Sequence, residues 1–492
     1  MPLDFPLWIR LTHVINVLFL TLLARSGIEI LGAHPKLYWN DDCRPGSAWL
    51  RFTRKQMPSD RIWTSKDEEE SLPSWLALPG QRHLGLGRHW HFATVLAWIL
   101  TGLVYVGLLF ATDEWRRLIP TSWSVFPDAW DTLLVYLHLN VPAQTDYNPL
   151  QQLSYAAVVF LLSPFMLLTG AAMSPAIAAR LPAYIRLFGG RQSARSLHFL
   201  SLLAFAAFTV VHTAMVIVHD LPEGWAKIVL GSQYANHTRA IVIGCIGLAV
   251  ILLINLVATG VSLRAPRFVQ HALGLIVDPA QRVLTRWSRS RQNYPAEAIS
   301  PYFRINGLPP VDPASTSMAA NQFRDWRLEV CGLIHNPLHL SLAELRNLPS
   351  QSQTTKHNCI QGWSNVAEWT GVPVRAILDR CDPLPGARFA VFHAMDDKAE
   401  TDPDLGGAGH YYEVIDLNLA REDQTILAYA MNGSPLPIEH GAPLRLRIET
   451  QLGFKMVKYL RAIELVADYR SIGAGQGGWR EDVQHYSRTV GI

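Results

Sequence analysis

Residues 197–219 read LHFLSLLAFAAFTVVHTAMVIVH. The stretch has no Asp, Glu, Lys or Arg, and it exceeds the roughly 20 residues a helix needs to cross about 30 Å of hydrocarbon. Two histidines interrupt it, His198 and His212, 14 residues apart. At about 100° per residue they fall roughly 40° short of four full turns, so both face one way, about 21 Å apart along the axis. An ionisable residue inside a span is costly and marks function.

Four further segments have the same character, 13–33, 91–112, 152–173 and 240–263. The last, AIVIGCIGLAVILLINLVATGVSL, carries no charge. The first apolar run continues to about Ala33 with no small-residue cleavage pattern, so it reads as a span and not as a cleaved signal. Arg25 and Glu29 within it stand at i,i+4 and can pair. Five spans put the N-terminus (side A) and the segment after the last span (side B) on opposite faces. His13 opens the first span near side A, and His91 opens the second near side B. The fourth span runs from B to A, which sets His198 near B and His212 near A. Depth therefore pairs His91 with His198 and His13 with His212. The spacing suits two stacked haems with axial imidazoles; histidines bonded to carbonyls or lining a polar cavity are the alternative. His89 is the rival of His91, while His138 and His219 have no expected haem role.

The 492 residues suggest two to four domains. A net charge of +3, with no Arg-rich run, excludes nucleic acid as a partner. Five scattered cysteines (Cys43, Cys245, Cys331, Cys359, Cys381) exclude a disulfide framework and a CxxC zinc site. Residues 264–299 alternate arginines (Arg264, Arg267, Arg282, Arg286, Arg289, Arg291) with apolar residues, which fits an interfacial helix on anionic lipid; a solvated linker is the alternative. From about Ser300 short strands such as WRLEVCGLI, RFAVFHAM and LRLRIET alternate with short helices, SLAELRNL behind a Ser cap and VRAILDRC. The fold class expected is multi-domain: a five-span helical bundle (1–263), a basic interfacial linker (264–299) and an α+β domain (300–492). Within KHNCIQGWS (356–364), Cys359 could be an inert buried thiol, a nucleophile with His357 as base, or a soft-metal ligand.

The stretches RLTHVINVLFLTLLARSG, GRHWHFATVLAWILTGLVY and GGRQSARSLHFLSLLAFAAFTVVH resemble the cytochrome b subunits of formate dehydrogenases, hydrogenases and thiosulfate reductases, over about residues 7–260. The resemblance implies two b haems on His13, His91, His198 and His212, with a quinone site beside the side A haem. The stretches SPYFRINGLPPVD, NCIQGWSNVAEWTGVPVRAIL, ILAYAMNGSPLPIEHGAPLRL and LGFKMVKYLRAIELV together resemble the sulfite oxidase and protein-methionine-sulfoxide reductase superfamily, over about residues 300–467. That resemblance implies a sulfite-oxidase fold with one molybdopterin and Cys359 as the ligand to molybdenum. It further implies cofactor contacts at Phe303, Asn306, Asp396, His440 and Arg445, with Met456, Val457 and Lys458 around the phosphate. His393, Tyr411 and Tyr412 are candidates for the substrate pocket. The chain departs from sulfite oxidases in two places: the loop CIQGWSNVAEW has no arginine, and the family's RNH reads ING, leaving Gly307 without an imidazole. Only 25 residues follow Ala467, too few for the immunoglobulin-like dimerisation domain.

Together these readings predict a multi-pass protein of the bacterial inner membrane. It passes electrons between the quinone pool and a molybdenum site through two haems, and it reduces a small or protein-bound S-oxide or N-oxide. A quinone-reducing dehydrogenase acting on sulfite and a redox-sensing membrane protein are the alternatives. Side A carries Arg10, Arg116, Arg117 and Lys227, against Arg180, Arg186, Arg191, Arg195, Arg264 and Arg267 on side B. The positive-inside rule thus favours the cytoplasm for the molybdenum domain; the periplasm, to which the cytochrome b resemblance points, is the alternative.

Overall fold

The computed structural model describes residues 4–142, 147–286, 291–407, 409–488 and 490–491. Arg289 of the basic linker, and the side chain of Arg286, lie outside these. Five helices are long and apolar enough to cross a membrane: α1 (Leu7–Ala33), α2 (Leu84–Ala111), then, after the shorter α3 (Val125–Leu137), α4 (Pro149–Met173), α5 (Arg191–Leu230) and α6 (His237–Arg264). All begin several residues before the apolar runs do, because polar caps and first turns extend them. Asn148 accepts the Gln151 N–H (2.8 Å) with Pro149 behind it, and Asn236 accepts the Arg239 N–H (2.9 Å). Pro222 cannot continue the helical ladder, and α5 breaks at Asp220 (φ −173°, ψ 97°) beyond His212.

Arg25 and Glu29 do not pair. Arg25 donates to Asn255 Oδ1 (3.0 Å), Thr259 Oγ1 (2.7 Å) and Ser74 O (2.6 Å), a set of helix α6 and loop acceptors that satisfies it without a carboxylate. Glu29 packs instead against Gly87, where a Cβ would stand 2.6 Å from its Cγ. The basic linker folds as α7 (Pro266–Arg286), which buries Val269 and Val277 and exposes Phe268, Leu275 and Val283.

The remainder is built on two five-stranded sheets. One has the order β2–β1–β9–β5–β6, from Leu338–Ser341, Arg327–Gly332, Leu460–Val466, Phe389–Asp397 and His410–Asp416, with β9 and β1 parallel and the other pairs antiparallel. The other runs β3 (Gln351–Asn358), β4 (Ser364–Pro373), β7 (Thr425–Met431), with β8 (Arg445–Ile448) and a two-residue edge strand also on β7. A core of Leu328, Val391, Phe392, Leu427, Leu446 and Ile463 packs between them, each fully buried. The hairpin β3–β4 closes through residues 359–363, where the Cys359 N–H donates to Trp363 O (3.0 Å), and so presents the cysteine at a tight turn.

Candidate redox site

The four span histidines face each other in pairs. Ring centres of His13 and His212 are 6.4 Å apart, and those of His91 and His198 are 6.5 Å apart. An iron held by two imidazoles, at the roughly 2.0–2.1 Å usual for metal–imidazole bonds, sets ring centres about 6 Å apart, so both pairs have the right gap. Three of the four Nδ1 atoms are taken: Ser26 Oγ lies 3.1 Å from that of His91, Thr169 Oγ1 3.1 Å from that of His198, and the Tyr155 hydroxyl 3.2 Å from that of His212. Such bonds fix the ring and leave Nε2 for a metal. Gly170 faces the His198 ring, where a Cβ would come within 3.3 Å of Cε1. His89 is held elsewhere, by Gly85 O (2.8 Å) and Ser487 Oγ (3.2 Å). One cavity of about 2220 Å³ runs from His13 and His212 past His91 and His198 to Cys359. It exceeds the roughly 300–1,000 Å³ of a pocket for one small ligand.

Cys359 is buried, and its Sγ lies 3.4 Å from Gln361 Oε1 and 3.8 Å from Asn306 Nδ2. Burial pushes its thiol up to about 12, so the sulfur becomes a thiolate only against a local cation such as a metal. Behind it lies a basic, aromatic recess. Phe303 stands 5.3 Å from His440, 5.5 Å from Trp369 and 5.7 Å from His357, by ring centres. Arg445 donates to His440 O (2.8 Å), and its Nε is buried without a partner. Lys458 reaches only carbonyls, Glu439 O (3.0 Å) and Gly307 O (3.3 Å). Burial, then the surrounding cations, hold His440 down to about 3 and Lys458 well below its ordinary value. Among the described residues the one ion pair in this group is Arg447–Glu449 (2.7 Å). Buried cations without carboxylates fit an anionic group, and the phosphate of a pterin cofactor meets that requirement.

The other expected contacts lie less directly on this recess. Asp396 pairs with Lys398 (2.7 Å) and accepts from Thr401 (2.6 Å). Val457 packs in the core, and the Met456 N–H donates to Gly453 O (3.1 Å). The substrate-pocket candidates His393, Tyr411 and Tyr412 do not line the space beside Cys359. His393 alternates along β5 with buried Phe392 and Ala394, so it points to the opposite face and bonds Glu464 (3.0 Å). Tyr411 donates to Glu413 (2.8 Å) and Phe454 O (2.6 Å), and Tyr412 to Asp482.

That space is a cleft built from three parts of the chain. Asn306 and Gln361 come from around the cysteine hairpin, Glu69 and Lys66 from the segment between α1 and α2, and Arg480 and Tyr486 from α8 (Trp479–Gln484) and the turn after it. The loop around Cys359 lacks an arginine, but the C-terminal tail brings one to it.

Cys359 is tied directly to the bundle. Gln192 Nε2 donates to Gly362 O (2.9 Å), and Arg191 donates to Asn358 Oδ1 (2.8 Å) and Ser364 Oγ (3.2 Å). Both residues open α5, which carries His198 about 9 Å further along at ~1.5 Å per residue.

A haem-type histidine bundle joined to a thiolate-centred, anion-binding α+β domain defines a membrane cytochrome fused to a molybdopterin protein. Residues 4–231 match the family model of prokaryotic cytochrome b561, and residues 315–471 match that of the oxidoreductase molybdopterin binding domain, so the chain is a fusion of these two units. YedZ1, named as a protein-methionine-sulfoxide reductase subunit of Azospira oryzae, is 33% identical across 38% of this chain and 63% of its own. The protein-methionine-sulfoxide reductase catalytic subunit MsrP of Gluconobacter oxydans is 32% identical across 35% of this chain and 57% of its own. MsrP of Xanthomonas axonopodis pv. citri is 32% identical, with 32% and 50% covered. The sulfane dehydrogenase SoxCD from Paracoccus pantotrophus aligns with a TM-score of 0.27 and 22% identity, over 32% of this chain and 40% of that one. The chain spans half to somewhat under two thirds of the length of these curated relatives.

Proposed function

We propose that this protein takes electrons from membrane quinol and reduces S-oxides or N-oxides at a molybdenum site on Cys359. The observation that carries the reading is continuity: two facing histidine pairs in one cavity, and a helix start that bonds the cysteine hairpin. His13 with His212 and His91 with His198 would hold two b haems through Nε2. Cys359 would ligate molybdenum, with Phe303 and Asn306 against the pterin and Arg445, His440 and Lys458 on its phosphate. When bound, the molybdopterin supplies two-electron oxygen-atom exchange, and the haems carry single electrons to it. The net reaction balances as quinol + sulfoxide → quinone + sulfide + water. The sulfoxide in the names of YedZ1 and MsrP supports an S-oxide. The arginines around side B support a cytoplasmic molybdenum domain, on an inner-membrane anchor of residues 1–263, with residues 264–299 as the interfacial tether.

Purified protein with haems reduced by a quinol analogue should reoxidise on adding methionine sulfoxide, dimethyl sulfoxide or trimethylamine N-oxide. Haem reduction by sulfite, with no response to any oxide, would establish a dehydrogenase instead. Haem and molybdenum without turnover in either direction would leave a redox sensor. A reporter fused after Ile492 that works only in the periplasm would overturn the orientation.

A further inference from the structure

The cleft beside Cys359 holds two donors that the protein leaves wholly or partly unused. Its other charged walls, Glu29 excepted, are matched. Lys66 pairs with Asp402, Arg82 pairs with Asp404 (3.4 Å), and Glu69 accepts from the amide of Gln361. Arg480 differs. Among the described residues it forms no ion pair, and its hydrogen bonding is confined to Gln484, one turn along the same helix. A guanidinium has five N–H donors, so this one keeps several beyond that bond, with the Glu69 carboxylate in its field. Tyr486 is 3% exposed, lines the same cleft, and its hydroxyl is buried with no hydrogen-bond partner. Buried polar atoms are nearly always partnered, and two unmatched donors at one place point to an absent acceptor.

The acceptor's position is set by the hairpin. Asn306 and Gln361, whose side chains lie 3.8 and 3.4 Å from Cys359 Sγ, line the cleft, while Cys359 itself lines the bundle cavity. Arg480 and Tyr486 each sit near enough to interact electrostatically with Cys359 and with Glu69. The tail that carries them is held in place. Tyr486 O accepts from Gln270 Nε2 (2.9 Å), Val490 O accepts from the Leu452 N–H (3.3 Å), and Gly85 lies so close to Gln484 O that a Cβ would come within 2.3 Å. Both residues lie beyond the matched molybdopterin-domain segment, which ends at residue 471.

We propose that Arg480 and Tyr486 are substrate-recognition residues, donating to the oxygen of an S-oxide or N-oxide seated beside Cys359. The proposal rests on the oxide-reductase reading above. In the half-reaction, one sulfoxide, two electrons and two protons give one sulfide and one water. The S–O bond breaks, sulfur takes two electrons from the haem side, and oxygen leaves as water with two protons. Negative charge grows on that oxygen as the bond breaks, so fixed donors aimed at it stabilise the transition state more than the ground state. Arg480 thereby replaces, from the tail, the cation that the cysteine loop lacks.

The test uses full-length holoenzyme carrying Arg480→Gln, Arg480→Lys or Tyr486→Phe, with molybdenum and haem content verified. In Arg480→Gln, kcat/KM for dimethyl sulfoxide should fall about 10- to 100-fold, with a smaller loss in Tyr486→Phe and partial recovery in Arg480→Lys. Dimethyl sulfone, an S=O ligand that serves as a dead-end probe, should shift the Mo(V) paramagnetic resonance signal of the wild type and of Arg480→Lys, but not that of Arg480→Gln. Oxide reduction with unchanged kcat/KM in all three variants overturns the recognition role and leaves the reductase reading standing. A wild type that reduces no oxide, yet shows a sulfone shift that disappears in Arg480→Gln, overturns the reductase reading and keeps the recognition role. A wild-type signal that ignores the sulfone overturns the proposal outright.

Discussion

Cys359 and its surroundings set opposite electrostatic demands within one recess. The sulfur needs a cation before it can ionise, whereas Arg445 and Lys458 are cations in search of an anion. A metal bound by thiolate and tethered to a phosphate answers both at once. Cys359→Ser should therefore lose molybdenum while the haem spectrum stays intact, checked by metal analysis beside a reduced-minus-oxidised spectrum. Arg445→Met should lower cofactor occupancy severalfold with the fold retained, since the side chain packs over Trp369 at 4.7 Å and Met keeps much of that contact. At this scale the sequence was legible where chemistry depends on local text. The turn around Cys359 is five residues long, and its neighbours carry the family resemblance. Arg480 and Tyr486 were not legible, because they come to the neighbouring cleft from more than 120 positions away through tertiary packing alone. His393 was misplaced for a related reason: strand alternation gives two faces, and only the fold decides which one meets the site.

At the scale of elements, α5 links the two halves. It begins at the cysteine hairpin, passes His198, passes His212 almost four turns on, and breaks at Asp220 before Pro222. The periodicity of two histidines on one face was readable directly. Their partners followed from counting spans, and the rings stand together in the pairs that depth predicts. Less readable were the helix ends, where capping residues outweigh hydropathy. His198→Ala and His212→Ala should each remove about half of the b-type absorbance and shift different haem potentials, measurable by redox titration. Gln192→Leu should leave both haems and the molybdenum in place while slowing electron passage from the side B haem to the molybdenum site severalfold, seen by rapid-mixing spectroscopy.

At the scale of the molecule, the segment between α1 and α2 is the socket for the molybdenum domain. Arg304 enters it, bonding Glu68 (3.1 Å), the Tyr38 hydroxyl (2.8 Å) and Cys43 O (2.8 Å), with Lys36 on the other Glu68 oxygen (2.7 Å). Sequence reading had no signal for this, since none of the residues belongs to a motif. Burial raises the Glu68 carboxyl, but the bond to His34, the Arg304 charge and Lys36 outweigh it and hold the group down at about 2. A carboxyl depressed on folding stabilises docking above its ordinary value of 4.5 and loses that contribution as pH falls towards about 2. The thermal unfolding temperature should therefore fall as pH drops across that window in the wild type and stay flatter in Glu68→Gln. The variant itself should lose about 3–5 kcal/mol at neutral pH, because Arg304 is left buried without its partner.

Carrying two haems, the histidine pairs, about 21 Å apart in depth, would also make the protein an electrical device. In the proposed orientation two electrons per turnover move inward, toward the negative face of an energised membrane. At about 2.3 kcal/mol per charge per 100 mV, that is roughly 5 kcal/mol of opposing work at 100 mV. Turnover in sealed proteoliposomes should slow as an inside-negative potential is imposed and recover when an ionophore collapses it. The depth of the histidines would thus tie the rate of oxide reduction to the energy state of the cell.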